Sequence, residues 1–173
     1  MKQASISRRS SLKLFALSGT TVLAMPSVLW SAKNVVKPLR FGIITDSHYA
    51  DREPAGTRFY RDALPKMKEA IEALNEGQLD FLIHLGDFKD QGAEANQQET
   101  LKYLQEIETV FQTYNGDGYH ALGNHDVDSI RKTDFLNTIK NTGQKQAKSY
   151  YSFETSAFVC VVLDANYDAE GTD

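Results

Sequence analysis

Residues 81–90 read FLIHLGDFKD and place an apolar run directly before a polar loop. The run over residues 81–85 is short and continuous, which is typical of a strand covered on both faces. Gly86 then permits a sharp backbone turn, and Asp87 and Asp90 follow within four residues. The stretch therefore predicts a strand whose carboxyl end carries two carboxylates.

Two further strand-to-loop junctions repeat this arrangement, one upstream and one downstream. Residues 39–45 (LRFGIIT), a mostly apolar stretch that predicts a strand, are followed by D-S-H at residues 46–48. Residues 119–122 are followed by G-N-H-D at residues 123–126. Three predicted strands thus each end in carboxylate, amide or imidazole side chains.

The segments between these strands have the apolar spacing of helices. Apolar residues recur every three or four positions over about residues 62–75 and 95–114. A shorter helix is expected over about residues 133–140, and a β-hairpin over residues 150–154 and 158–163. Strands that alternate with such helices indicate an α/β fold with a mainly parallel sheet covered by helices. The ligand site of such a sheet lies at the carboxyl ends of its strands.

Each of the three motifs is weak evidence taken alone, because Asp, Asn and Gly are common in ordinary turns. Their shared position at strand ends favours a metal site over three unrelated turns. Hydrolysis of a phosphate ester brings an oxygen nucleophile to an anionic phosphorus, and two divalent cations roughly 3.5–4 Å apart clamp the attacking and leaving oxygens. Carboxylate, amide and imidazole groups suit such cations. The loops offer Asp46, His48, Asp87 and Asn124 for this work.

The order D-x-H, G-D-x-x-D and G-N-H-D over residues 46–126 resembles that of the calcineurin-like metallophosphoesterases. The resemblance implies a β-sandwich flanked by helices, of which this chain would form the N-terminal part. It also implies a cofactor of two divalent metal ions, Mn, Fe or Zn. In that arrangement Asp46 and His48 hold the first metal, Asp87 bridges both, and Asn124 holds the second.

Catalytic roles also follow from the resemblance. His125 would stand beside the leaving group as a general acid or charge stabiliser, and Asp90 would orient it. His84 and His120 lie inside strand runs, and we interpret them as core residues or supporting residues rather than as metal ligands. The remaining acids of the third loop, Asp126 and Asp128, are interpreted as loop residues.

A narrower resemblance involves residues 49–51 (YAD) and residues 58–61 (RFYR). This stretch is similar to the manganese-dependent ADP-ribose/CDP-alcohol diphosphatases, which implies a phosphorylated small-molecule substrate with Arg58 or Arg61 at a phosphate. An ordinary charged helix start explains residues 58–61 equally well. That family often carries Gln at the position of His48, so the match is partial.

Residues 1–32 have the layout of an export signal. Paired arginines at residues 8–9 precede a moderately apolar stretch over residues 14–24, which resembles the bacterial twin-arginine signal. Ser11 departs from that signal, which usually has Phe there. The stretch is short and polar for a stable membrane span, which needs about 20 apolar residues; an amphipathic helix of the folded domain is the competing interpretation. We expect export through the twin-arginine machinery, to the periplasm or medium, and a folded domain over residues 33–173.

The composition and charge of the chain disfavour several classes of partner and function. Hydrophobic residues make up 41% and charged residues 24% of the chain, as in soluble globular proteins. Residues 33–173 hold 15 basic and 23 acidic residues, a net charge of −8, which disfavours nucleic acid as a partner. Cys160, the one cysteine, is expected to be a small buried core residue. The sequence has neither a G-x-S-x-G elbow nor a P-loop, which disfavours serine hydrolases and P-loop nucleotide binding.

The resemblance also implies ligands that the sequence lacks. The family pattern continues with a further His and a G-H-x-H segment, whereas this chain has no His after residue 125. We therefore expect a fragment of a longer phosphoesterase that has little activity alone. A non-catalytic domain that binds metal or phosphate is the alternative, and a plain α/β domain with acidic loops would bind no metal.

Overall fold

The computed structural model describes residues 37–144, 148–156 and 158–167 of the chain. The predicted export signal over residues 1–32 lies outside these ranges. Within them, no helix is long and apolar enough to cross a membrane.

Three parallel strands form the central sheet. β1 (Phe41–Ile44), β2 (Phe81–His84) and β3 (Gly118–His120) pair in that order, with β2 in the middle. The register aligns His84 with His120 at the carboxyl ends of β2 and β3. The predicted parallel sheet is confirmed, and the loops that follow its strands leave from one edge.

Helices cover one face of this sheet. α1 (Ala63–Asn75), α2 (Gln97–Phe111) and α3 (Lys132–Thr138) follow the strands in the predicted order. Short 3-10 turns at Tyr60–Asp62 and Asn124–Val127 precede α1 and α3. The main core lies between the helices and the sheet; its fully buried members include Ile71, Leu82, Phe88, Leu104, Ile107, Phe111 and Phe135.

The start of α2 shows why a periodic pattern alone places a helix boundary approximately. The apolar spacing predicted a start near Ala95, whereas the helix begins at Gln97. The Asn96 side chain accepts a hydrogen bond from the Glu99 backbone N–H at 3.0 Å and so caps the first turn. An N-cap residue is not itself helical, because its backbone is extended.

An antiparallel hairpin packs against the β2 and β3 part of the other face of the sheet, whereas Phe41 and Ile43 of β1 on that face are 46% and 53% exposed. β4 (Tyr151–Glu154) and β5 (Val159–Val162) pair with each other, and the Phe153 ring stacks on Tyr119 of β3 with centroids 3.7 Å apart. The sheet therefore lies between helices and hairpin, as expected for a β-sandwich flanked by helices. Cys160 corrects a prediction, because it is half-buried at the border of this packing rather than buried in the core.

Candidate metal centre

Two loops at the carboxyl end of the sheet run side by side. Loop 1 (residues 46–49) follows β1, and loop 2 (residues 86–90) follows β2. The Asp46 N–H donates to the Gly86 carbonyl at 3.1 Å, and the His48 N–H donates to the Asp87 carbonyl at 2.9 Å. Because the backbones are bonded in this register, the predicted ligands of the two loops face one another.

The three predicted ligands of loops 1 and 2 share an unusual backbone conformation. Asp46, His48 and Asp87 have φ angles of 55°, 47° and 54°, and they are the non-glycine residues with positive φ within the described ranges. The left-handed region costs an L-residue roughly 1–2 kcal/mol. Strain of this kind gathers at functional sites, where the surrounding structure maintains it.

The side chains of these residues converge on one imidazole nitrogen. His48 Nε2 lies 3.7 Å from Asp46 Oδ1 and 3.5 Å from Asp87 Oδ2. Burial lowers the pKa of His48, and the positive charge of Arg58 lowers it further. A neutral imidazole is the form that ligates metals. The donor atoms of His48, Asp87 and His125 lie within 4.8 Å of one another, close enough to share one cation, and Asp46 lies beside this group through His48.

The charge balance tests whether a divalent cation fits. Within the described part of the chain, His48 is the basic side chain within 4 Å of both the Asp46 and the Asp87 carboxylates, and its imidazole carries a charge only when protonated. Two carboxylates that converge on a neutral imidazole have no positive charge between them, which a bound cation would supply. Carboxylate oxygens with an imidazole nitrogen suit Mn, Fe and Zn, so the residues fit the cofactor that was predicted.

Loop 3 (residues 123–128) packs directly against loop 2, and two glycines permit the approach. A Cβ on Gly86, whose φ is +99°, would lie 2.6 Å from the Gly123 nitrogen. A Cβ on Gly123 would overlap the backbone nitrogen and a carboxylate oxygen of Asp87. Asn124 follows at once and begins the 3-10 turn, so this contact brings the fourth predicted ligand to the loop that carries Asp87.

His125 is held against both neighbouring loops. Its backbone N–H donates to Asp87 Oδ1 at 3.0 Å, and its ring packs edge-on against the His48 ring at 4.9 Å. Its Nδ1 lies 3.4 Å from Asp90 Oδ1. The predicted pair of His125 and Asp90 is therefore together in space, with Asp90 also 3.4 Å from His48 Nδ1.

The two arginines proposed for substrate differ in their surroundings. Arg58 Nη1 lies 3.4 Å from Asp90 Oδ2, and Arg58 lines a cavity of about 400 Å³ that also touches Asp46 and His48. Arg61 is half-exposed and pairs with Asp51 at 2.6 Å and with Glu53 at 2.5 Å. The structure thus brings Arg58 to the predicted metal ligands and engages Arg61 with two other carboxylates.

Asp126 corrects its interpretation as a loop acid, because it is fully buried. Its oxygens accept backbone hydrogen bonds from Phe88 at 2.8 Å, Lys89 at 3.3 Å and Gly123 at 2.9 Å. Burial raises the pKa of Asp126 to about 6, although these three bonds act in the opposite direction. This carboxyl group joins loops 2 and 3. In the sequence, only its place as the fourth residue of the G-N-H-D motif indicated such a role.

Lys89 is a second residue that the sequence reasoning missed. The side chain is fully buried, and Nζ donates to the His125 carbonyl at 2.6 Å and to Asp128 Oδ1 at 2.5 Å. The other Asp128 oxygen lies 3.5 Å from His125 Nδ1. The Lys89 ammonium therefore already pairs with Asp128, one of the two acids that lie close to His125 together with Asp90.

The chain belongs to the calcineurin-like phosphoesterase family, whose model matches residues 39–168. Among curated relatives, a manganese-dependent ADP-ribose/CDP-alcohol diphosphatase from Arabidopsis thaliana is 33% identical over 135 residues, 74% of this chain and 42% of that protein. The Bos taurus protein of the same name is 30% identical over 110 residues, 59% of this chain and 32% of that protein. The chain thus spans less than half the length of these relatives.

A solved structure supports the fold. The crystal structure of a dimetal phosphatase from Danio rerio superposes with a TM-score of 0.51, covering 57% of this chain and 33% of that one. The sequence identity is 22%, so this likeness concerns the fold. The mixed α/β fold of this chain, a parallel sheet with helices, is thus shared with that structure over the part that superposes.

Proposed function

We propose that this chain carries the metal site of a metal-dependent hydrolase of phosphoric esters. The observation that carries the proposal is the closeness of His48 Nε2 to the Asp46 and Asp87 carboxylates, with all three residues in left-handed backbone conformations. The donor atoms of His48, Asp87 and His125 also lie within 4.8 Å of one another. Family membership supports the same class. Since the chain spans 42% of the Arabidopsis relative, the activity of a whole protein is part of the proposal.

The residues present suit two ions. Asp46 and His48 would hold one ion, Asp87 would be shared, and Asn124 would hold the other. When bound, such ions supply positive charge that stabilises the phosphoryl oxygens in the transition state. The relatives named as manganese-dependent favour Mn²⁺, while Fe and Zn also suit these donors.

The chain's own residues would move the proton and hold the substrate. Asp90 lies at Nδ1 of His125, which leaves Nε2 of the same ring to pass a proton to the departing oxygen. Arg58, at the rim of the cavity beside Asp46 and His48, would pair with a substrate phosphate. Arg61 would do so only by leaving its two carboxylate partners.

A phosphorylated small molecule is the proposed substrate. The names of the relatives favour a nucleotide-type diphosphate, and monoesters and diesters belong to the same chemical class. A nucleic acid is disfavoured by the net charge of −8 over residues 33–173.

The test is Mn²⁺ binding by titration calorimetry, together with hydrolysis of an aryl phosphate and an aryl phosphodiester, on the 173-residue chain. Asp87→Asn should abolish binding at Mn²⁺ concentrations that saturate the unaltered chain. Asp117→Asn, the same change in an exposed residue just before β3, serves as the matched control and should bind normally. Absence of Mn²⁺ binding by the unaltered chain, or equal binding by both variants, would overturn the proposal.

A non-catalytic domain that binds metal or phosphate is the second candidate. Within the described ranges the second ion has only Asp87 and Asn124 as proposed donors, which favours weak occupancy and slow turnover. Metal binding that Asp87→Asn removes, without hydrolysis of either ester, would favour this candidate for the chain as it stands.

We also propose that residues 1–32 direct export through the twin-arginine machinery. The support is the arginine pair at residues 8–9 and the apolar stretch over residues 14–24. In bacterial cells that possess this machinery, the chain should reach the periplasm or medium. Replacement of both arginines by lysine should retain it in the cytoplasm, and unchanged export would contradict the proposal.

A further inference from the structure

Two buried imidazoles lie side by side beneath the metal centre. His84 ends β2 and His120 ends β3, and the two ring centroids are 6.3 Å apart. Their exposed fractions are 0% and 2%. The two residues therefore share strand position, burial and residue type, and they differ in the groups that they bind.

The hydrogen bonds of His84 reach both ligand loops. The Gly86 backbone N–H donates to His84 Nδ1 at 3.3 Å, so Nδ1 carries no proton. The neutral ring then bears its proton on Nε2, which donates to Ser47 Oγ at 2.8 Å. Gly86 directly precedes Asp87, and Ser47 stands between Asp46 and His48.

We propose that His84 is a positioning residue for the metal ligands. Its ring joins the serine between two ligands of loop 1 to the glycine before the shared ligand of loop 2. The three ligands it supports are the non-glycine residues with positive φ among the described residues, and such a conformation persists only where neighbouring groups maintain it. Groups that orient metal ligands commonly change metal affinity by about 10–100-fold when they are removed.

The inference rests on the proposed metal site, and a rival explanation exists within the fold. Backbone hydrogen bonds already join loops 1 and 2, from Asp46 to Gly86 and from His48 to Asp87. If these bonds alone keep the ligands in place, loss of the imidazole will affect packing and leave the loops unchanged. The experiment must therefore separate an effect on the loops from an effect on the core.

His120 provides the matched control for this purpose. Its Nε2 lies 3.1 Å from Glu108 Oε2 on α2, and its ring packs on Phe111 and Phe88. Its ring nitrogens make no hydrogen bond to loop 1 or loop 2 among the described residues. His120→Phe should thus disturb the core as His84→Phe does, without removing a hydrogen bond to the ligand loops.

The experiment compares His84→Phe, His120→Phe, Ser47→Ala and the double variant His84→Phe/Ser47→Ala in the full chain. Titration with Mn²⁺ should show affinity about tenfold lower in His84→Phe and in Ser47→Ala. The Mn²⁺ affinity of the double variant should equal that of whichever single variant binds less tightly, because both changes break the bond between His84 and Ser47. His120→Phe should bind Mn²⁺ within about twofold of the unaltered chain.

Amide hydrogen exchange on the metal-free chain gives a second readout that metal binding does not limit. Exchange at residues 46–49 should be faster in His84→Phe and Ser47→Ala, and unchanged in His120→Phe. Equal exchange in all variants, or losses in affinity that multiply in the double variant, would overturn the positioning role. Failure of the unaltered chain to bind Mn²⁺ would instead count against the proposed function, while the exchange data would still decide the role of His84.

Discussion

The loop end of the parallel sheet and the β4–β5 hairpin are held in place by different kinds of interaction. At the loop end the buried groups are polar, and Lys89, Asp90 and Asp126 are almost fully excluded from solvent. In the hairpin the inner face is apolar and buries Tyr151, Phe153 and Val162, whereas Val159 and Val161 on the outer face are each 65% exposed. The loop end of the sheet is therefore held by polar contacts of fixed geometry, and the hairpin is held by apolar packing of one face.

The two kinds of interaction differ in how strictly they fix the geometry of a region. Hydrogen bonds and ion pairs depend on direction, so a network of them fixes where loop side chains point. Apolar burial is roughly proportional to area and has no direction, so it attaches the hairpin and tolerates exchange of similar side chains. Substitutions should consequently have large effects at the loop end and small ones on the outer face of the hairpin.

The largest loss of stability is expected for Asp126→Ala. Three backbone N–H groups of loops 2 and 3 would lose their acceptor inside the protein, and each unsatisfied buried donor costs about 1–3 kcal/mol. We expect the free energy of unfolding in urea to fall by about 4 kcal/mol. The exposed Asp117→Ala should change it by less than about 0.5 kcal/mol. A loss below about 1 kcal/mol for Asp126→Ala would show that water reaches these donors.

A smaller loss of about 3 kcal/mol is expected for Lys89→Met. The substitution keeps the apolar stem and leaves the Asp128 carboxylate and the His125 carbonyl without their partner. Urea unfolding measures the change, and the exposed Lys68→Met, whose Glu72 partner is 4.0 Å away, should cost less than about 0.5 kcal/mol. The double variant Lys89→Met/Asp128→Leu should recover part of the loss, because it removes both charges. No recovery would mean that Lys89 acts mainly through the His125 carbonyl.

These two residues also mark the limit of what the sequence predicted. The order of strands and helices followed from apolar spacing, and the convergence of Asp46, His48 and Asp87 followed because parallel strands end at one edge of a sheet. The burial of Lys89 and Asp126 did not follow. It depends on contacts between residues about 38 positions apart, and an acid or lysine in a loop is ordinarily solvated.

The boundary of β3 was mispredicted for a non-local reason of the same kind. β3 was expected over residues 119–122, and it spans Gly118–His120. The chain leaves the strand geometry early, because Gly123 must come into contact with Asp87 of loop 2. Local apolar spacing does not contain that requirement, which is set by the neighbouring loop.

The buried imidazole of His84 should make the free energy of unfolding depend on pH. The expected change is smaller than that for Lys89→Met and larger than that for Val161→Thr. Burial places its pKa well below the usual value of 6.5. Below pH 6.5 the unfolded chain gains a proton that the folded chain excludes, so this contribution is complete above pH 6.5 and is lost as the pH falls. At pH 5.5 the loss from this residue should be on the order of 1 kcal/mol. Urea unfolding at pH 7.5 and 5.5 should show a smaller difference in His84→Phe, and equal differences would contradict neutral burial.

The smallest effect is expected on the outer face of the hairpin, at Val161→Thr. Neighbouring residues of β5 face opposite ways: Val161 is 65% exposed, and Val162 is 6% exposed against the sheet. The same isosteric change should cost less than about 0.5 kcal/mol at Val161 and about 1 kcal/mol or more at Val162, where a hydroxyl group enters an apolar core. Urea unfolding of the two variants measures the contrast. Equal losses would mean that the outer face is covered in solution, and the hairpin would then be packed on both faces rather than one.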